Sequence, residues 1–298
     1  MTSRQTTQLI GRCVAITGGA RGIGRATAEA FVAAGAHVAI GDIDYDLVQR
    51  AAAEVAEKTD GTIVGLALDV TDSNTFAAFL DAAQRELGGL DVLVNNAGIM
   101  PNGPFLDESD AVSDRQIDIN FRAVVIGSKL AGTRFTHTGG GHIVNVASLA
   151  GLVAAPGVAV YCASKSAVIG LGAALHQELA PHGVVVTTIA PSLVRTELIS
   201  GLPTNKLIDT IATVEPHTVA RAIVGEVASA KGGLRIVPRV TGGVMKTTLA
   251  LPENVRNKIY KLMGVQTVNL HADDTARQEY RDRTEPGRNQ ASRVDLPE

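Results

Sequence analysis

Thr17-Gly18-Gly19-Ala20-Arg21-Gly22-Ile23-Gly24 follows the apolar run Arg12-Cys13-Val14-Ala15-Ile16-Thr17 and opens the helical run Ile23–Ala34, which Gly35 closes. The run before the glycines reads as a short buried strand. A second strand, His37–Ile40, follows and ends at Gly41-Asp42. Strand, glycine turn, helix and strand make a β-α-β unit, the signature of a parallel sheet. A helix N-terminus presents unpaired backbone N–H groups and the positive end of its dipole, which suits a pyrophosphate. Glycines let the backbone approach the phosphates and let the helix pack close to the sheet. The spacing is G-x-x-x-G-x-G rather than the general G-x-G-x-x-G, and a plain glycine turn would look the same out of this context.

Asp42, at the end of the second strand, can bond the adenosine ribose hydroxyls and repel a 2′-phosphate, which favours NAD over NADP. Two features compete with that reading. Asp42 or Asp44 could instead cap the next helix, and Arg21 inside the turn could meet a 2′-phosphate.

The alternation continues down the chain. Helices are expected at 44–58, 73–87, 113–134, 157–180 and 216–230, and strands at 63–69, 90–95, 142–147, 184–190 and Leu234–Pro238. Runs such as Val184-Val185-Val186-Thr187-Thr188-Ile189 lack polar alternation, as strands buried on both faces do. The expected fold is α/β: a Rossmann-like, doubly wound parallel sheet of about seven strands in three layers. Residues 1–238 would form one domain carrying both cofactor and substrate sites.

Residues 239–298 read as an extension, with an amphipathic helix at 251–263 and a charged tail unable to build its own core. That helix suits packing on its own domain or a sister subunit, a lid over the substrate pocket, or a membrane surface.

The 298 residues carry a net charge of -3 with 45% hydrophobic residues. No long basic block suggests a nucleic-acid partner. Cys13 and Cys162 are far apart and lack metal-ligand spacing, so neither a disulfide framework nor a metal site is expected. With no signal core and no long apolar stretch, the expectation is a cytoplasmic protein without a transmembrane segment.

Tyr161-Cys162-Ala163-Ser164-Lys165 supplies the chemistry. On a helix, Tyr161 and Lys165 share a face one turn apart. An ammonium beside a phenol favours the phenolate, so Lys165 is expected to lower the Tyr161 pKa and make it a usable acid or base.

Together with Thr17–Gly24, Asp69-Val70, Asn95-Asn96-Ala97-Gly98, Asn120 and Ser148, in this order, the pair resembles the classical short-chain dehydrogenase/reductase family. The likeness runs over roughly residues 10–238. It implies an oxidoreductase moving hydride between NAD(H) and a secondary alcohol or ketone, with Tyr161 as general acid/base. Lys165 would hold the nicotinamide ribose, Ser148 the substrate oxygen, and Asn120 a water linking the lysine to solvent. It further implies cofactor contacts from Gly18, Arg21, Gly22, Ile23, Gly24, Asp42, Asp69, Val70, Asn96, Ala97, Gly98, Pro191, Val194 and Thr196.

One departure stands out. Ser192 follows Pro191 where the family commonly has glycine, which puts the following loop and the Thr196 contact in doubt. The alternatives are NADP-dependent reduction at the same site and a non-catalytic dinucleotide-binding protein; epimerase or dehydratase chemistry suits the turn less well. The apolar set Leu149, Val153, Ala154, Ala155, Pro156, Leu193, Leu198, Ile199 and Leu202 is the expected substrate lining, with no arginine clamp other than Arg195. It suggests a lipophilic substrate. Family likeness suggests a homo-tetramer or homo-dimer.

Overall fold

A computed structural model describes residues 9–59, 61–201, 213–242, 251, 252, 254, 255, 258 and 274–284. Strands β1 (Cys13–Thr17), β2 (His37–Asp42), β3 (Ile63–Ala67), β4 (Val92–Asn95), β5 (Gly141–Val146), β6 (Val184–Pro191) and β9 (Gly233–Val237) form a parallel sheet in the order β3-β2-β1-β4-β5-β6-β9. Two short strands, β7 (Leu193–Val194) and β8 (Thr213–Val214), pair beside it.

Side-chain alternation divides the core between the two faces of the sheet. Val14, Ile16, Val38, Ile40 and Val94 pack under α1 (Gly22–Ala33), α2 (Tyr45–Thr59) and α7 (Pro216–Ser229). Cys13, Ala15, Ala39 and Leu93 pack under α3 (Ser73–Leu87) and α5 (Ala123–Thr138), with Leu175 of α6 (Ala159–Glu178) on the same side. Both faces are therefore dry, which is why these strands are continuous apolar runs. The strand order reverses between β1 and β4, and ligands of such sheets bind beyond the carboxyl ends at that point.

The seven strands, the parallel order and the three layers are as expected, and most boundaries shift by only a residue or two. The helix expected at 113–134 is more complex. It comprises α4 (Asp110–Ile117), a π-helical turn at Asp118–Arg122, and α5. The wide turn carries Asn120, whose amide is held by the backbone of Ile99.

Only Leu251, Pro252, Asn254, Val255 and Lys258 of the expected 251–263 helix are described; the remainder, like Leu202, lies outside the described residues. The charged tail contains a further helix, α8 (Asp274–Thr284), with Arg277 and Tyr280 buried on the main domain. No described helix is long and apolar enough to cross a membrane.

His142 of β5 is buried, with Nε2 2.8 Å from Thr187 Oγ1. Burial, then the Arg12 guanidinium, push its imidazole down from 6.5 to about 4. The native state thus binds fewer protons than the unfolded chain between those values. This stability is fully present above pH 6.5 and is lost as the pH falls through 4. A shift of this size corresponds to about 3 kcal/mol. His142→Gln, which can keep the bond to Thr187, is expected to flatten that part of the acid limb in urea unfolding, whereas an unchanged limb would place acid sensitivity elsewhere.

Candidate active site

The glycine turn is built by close approach. A Cβ on Gly24 would lie 2.1 Å from the Gly18 carbonyl oxygen, and one on Gly18, whose φ is +65°, 2.9 Å from Ala97 Cα. Asn96 ties the turn to the end of β4. Its Nδ2 donates to the carbonyls of Thr17 and Gly18, both at 3.0 Å. The Thr17 hydroxyl accepts from the N–H groups of Asn96 and Ala97. No side chain caps the N-terminus of α1, and its first turn holds no acidic residue. A cradle with no room for side chains, facing free N–H groups, fits the phosphates of a dinucleotide.

The two aspartates divide their work. Asp44 Oδ1 accepts from Leu47 N–H and so caps α2, while Asp42 Oδ2 accepts from Ala20 N–H at 3.2 Å and stays at the turn. Arg21 is held by two carboxylates, Asp44 at 3.3 Å and Glu197 at 3.3 Å. Glu197 also pairs with Arg283 of α8. Burial opposes the Glu197 carboxylate, but its bonds to Arg283 and Arg21 outweigh that and hold its pKa below the usual value.

Ser148, just past β5, starts a short helical turn and accepts from Ala150 N–H at 3.1 Å. The Tyr161 phenol lies close enough for the Ser148 hydroxyl to draw its pKa down. Lys165, one turn further along α6, is 4% exposed and donates from Nζ to the Val146 carbonyl at 2.9 Å. Its Nζ lies 5.8 Å from the Tyr161 ring centroid. Asn120 is fully buried: Oδ1 accepts from Ile99 N–H, and Nδ2 donates to the Ile99 carbonyl and the Ser164 hydroxyl. Gly98 lies against both, since a Cβ there would be 3.1 Å from Asn120 Oδ1 and 3.4 Å from Lys165 Nζ.

Ser148, Tyr161, Lys165 and Asn120 are thus brought together next to the glycine turn. Such a group can hold an oxygen at a hydroxyl and exchange a proton with it at the phenol.

The expected lowering of the Tyr161 pKa is not what the structure shows. Burial pushes the phenol up to about 12, with the nearby Ser148 hydroxyl pulling the other way. Burial likewise brings Lys165 down to about 8. Desolvation sets the direction of both shifts.

The remaining expected residues lie as follows. Thr196 packs over the turn, its Cγ2 3.4 Å from a Cβ built on Gly22, and Ile23 packs on the core. Asp69 accepts from Thr71 N–H and its hydroxyl at the end of β3, and the Val70 side chain enters the core. Pro191 ends β6, and Val194 is buried in β7. Ser192 donates its N–H to the Val237 carbonyl at 2.8 Å. Ala230 is the one described non-glycine residue with positive φ, so Ser192 needs no glycine-only conformation.

The substrate lining needs revision. Leu193, Leu198, Ile199 and Ala155 do gather with Tyr161, joined by Met100, but Leu149 and Val153 pack in a separate cluster with Ile236. Arg195 pairs with Glu215 at 2.9 Å and is exposed. The arginine at this end of the cleft is Arg277, which sequence reasoning missed. Its one available signal was Arg277 and Tyr280 three residues apart in an otherwise charged helix.

The sequence profile described as short chain dehydrogenase matches residues 12–206. The chain belongs to the short-chain dehydrogenase family. A probable oxidoreductase of Mycobacterium tuberculosis is 40% identical over 63% of this chain, which spans only 32% of that protein's length. The 2,5-dichloro-2,5-cyclohexadiene-1,4-diol dehydrogenase of Sphingobium indicum is 36% identical over 67% of this chain and 80% of that protein. Among solved structures of the short-chain dehydrogenase type, one from Mycobacterium marinum superposes with a TM-score of 0.69 at 31% identity, covering 77% of this chain and 94% of the other. A 7α-hydroxysteroid dehydrogenase complexed with NADH and 7-oxo glycochenodeoxycholic acid superposes with a TM-score of 0.73 at 27% identity, covering 80% and 96%.

Proposed function

We propose that this short-chain dehydrogenase transfers hydride between NAD(H) and a secondary alcohol or ketone of lipophilic character. The observation that carries the reading is the cluster of Ser148, just past the carboxyl end of β5, with the Tyr161 phenol and Lys165 one turn further on, beside a phosphate-fitting turn. When bound, the nicotinamide dinucleotide supplies or accepts the hydride.

The chain's own residues do the rest. The Ser148 hydroxyl holds the substrate oxygen and stabilises charge developing on it. The Tyr161 phenol gives its proton to that oxygen in reduction and takes it back in oxidation. A phenol raised to about 12 is protonated near neutrality, the form reduction needs. Lys165, at about 8, still carries its charge at pH 7, one turn from the phenol. Asn120 fixes the strand-end backbone at Ile99 against which this group is set.

Gly18, Gly22, Gly24 and the Asn96–Gly98 backbone would bind the dinucleotide phosphates and ribose, and Asp42 the adenosine ribose hydroxyls. NAD is favoured because Arg21 is already held by Asp44 and Glu197, leaving three carboxylates where a 2′-phosphate would sit. Met100, Val158, Cys162, Leu193, Leu198 and Ile199 around Tyr161 supply the apolar surface for the alcohol.

Formation of reduced dinucleotide should be followed with NAD and with NADP over acyclic diols, cyclic alcohols and steroid alcohols. Turnover with NAD and secondary alcohols is expected. Tight dinucleotide binding without turnover of any alcohol would instead favour a non-catalytic binding protein.

A further inference from the structure

Helix α8 is built mainly of charged residues, yet it closes over the Tyr161 side of the cleft. Arg277 is 0% exposed and Tyr280 5%. The Tyr280 hydroxyl accepts from Met100 N–H at 2.7 Å. Arg277 donates to the Met100 carbonyl at 3.0 Å, the Leu198 carbonyl at 2.8 Å and the Ser200 carbonyl at 3.0 Å. The Arg277 guanidinium stands 5.0 Å from the Tyr280 ring centroid. Two side chains one helical turn apart therefore fasten both walls of the cleft: Met100 follows β4, while Leu198 and Ser200 follow β7. Met100 and Leu198 belong to the same apolar cluster as Tyr161. Arg283, further along α8, pairs with Glu197, the carboxylate that also holds Arg21 of the glycine turn.

An alcohol has to touch the Tyr161 phenol, and protein leaves Tyr161 only 6% exposed. We infer that Tyr280 and Arg277 are substrate-specificity residues: α8 roofs the cleft, and these two side chains set which alcohols reach Tyr161. The inference rests on the reading that Tyr161 is where the alcohol reacts. A small alcohol needs little displacement of the roof. A bulky one must lift α8 and break the Arg277 and Tyr280 bonds before it seats, so roofing discriminates by size and acts chiefly on KM.

The test compares wild type, Arg277→Met and Tyr280→Phe by two measurements. In the first, kcat/KM is measured for a four-carbon diol and for a fused-ring secondary alcohol. The ratio of bulky to small substrate is expected to rise about tenfold in Arg277→Met and about threefold in Tyr280→Phe, mostly through a lower KM for the bulky alcohol. An identical ratio in all three proteins, with turnover intact, would overturn the roof while leaving the oxidoreductase reading standing.

The second measurement, hydrogen exchange at the Met100 amide and at β1, needs no turnover. Slow exchange in wild type and at least tenfold faster exchange at Met100 in Arg277→Met, with β1 unchanged, are expected. Unchanged exchange at Met100 would mean that α8 does not seat there and would overturn the inference. If β1 also accelerates, Arg277→Met has loosened the whole fold and Tyr280→Phe decides the matter. A seated α8 together with no turnover of any alcohol by any of the three proteins would overturn both the oxidoreductase reading and the specificity roles built on it.

Discussion

Tyr161→Phe is expected to lower kcat by about three orders of magnitude while dinucleotide affinity stays within about twofold. A positioned general acid/base contributes roughly 10²–10⁴-fold, and Tyr161 is the acid/base group that lies beside Ser148, where the substrate oxygen would sit. The substitution removes only the hydroxyl. The ring stays packed in its cluster with Met100, Val158 and Cys162, so the cost to folding is at most that of a hydrogen bond, on the order of 1 kcal/mol. The Ser148 hydroxyl still accepts from Ala150 N–H after the change. Steady-state rates, dinucleotide titration and thermal unfolding, measured on the same preparation, separate the chemical loss from a folding loss. A variant that keeps more than a tenth of wild-type kcat would remove Tyr161 from the proton transfer.

Asp42→Asn is expected to improve NADP use relative to NAD by about two orders of magnitude. Like charges about 4 Å apart repel by about 4 kcal/mol at an effective dielectric of 20, which caps the discrimination one carboxylate can supply at roughly a thousandfold. Asn keeps the side-chain shape but has one acceptor oxygen where Asp42 uses two, Oδ2 for Ala20 N–H and Oδ1 for Asp44 N–H, so one of those bonds is lost. Asp44 and Glu197 remain on Arg21, so the gain should fall short of that ceiling. The ratio of kcat/KM with the two dinucleotides measures it. An unchanged ratio would shift the discrimination to Arg21 and its two partners.

The fold was readable because parallel strands covered on both faces carry no polar alternation. Val14 and Ile16 point to one core layer and Cys13 and Ala15 to the other, and the run between Arg12 and Thr17 has nothing else to do. The phosphate turn was readable because its glycines answer to backbone contacts, as the Gly24 approach to Gly18 shows.

Three features depend on partners far away in sequence and were not readable. The π-helical turn carries Asn120, which engages the backbone of Ile99, and no local propensity encodes that pairing. Spacing placed Lys165 beside Tyr161 correctly but said nothing of burial, and burial sets the direction of both pKa shifts. Helix α8 has the composition of a solvated tail. Its burial rests on Arg277 finding carbonyls of Met100, Leu198 and Ser200, which only the folded chain brings together.

The most direct test of the account is to offer the enzyme NAD and a secondary alcohol deuterated at its carbinol carbon, then examine the recovered dinucleotide by mass spectrometry and NMR. The account predicts one deuterium on the nicotinamide ring per ketone formed with wild-type protein, and none above background with Tyr161→Phe over the same time. Ketone formation without deuterium in the dinucleotide, or equal transfer by the two proteins, would contradict it.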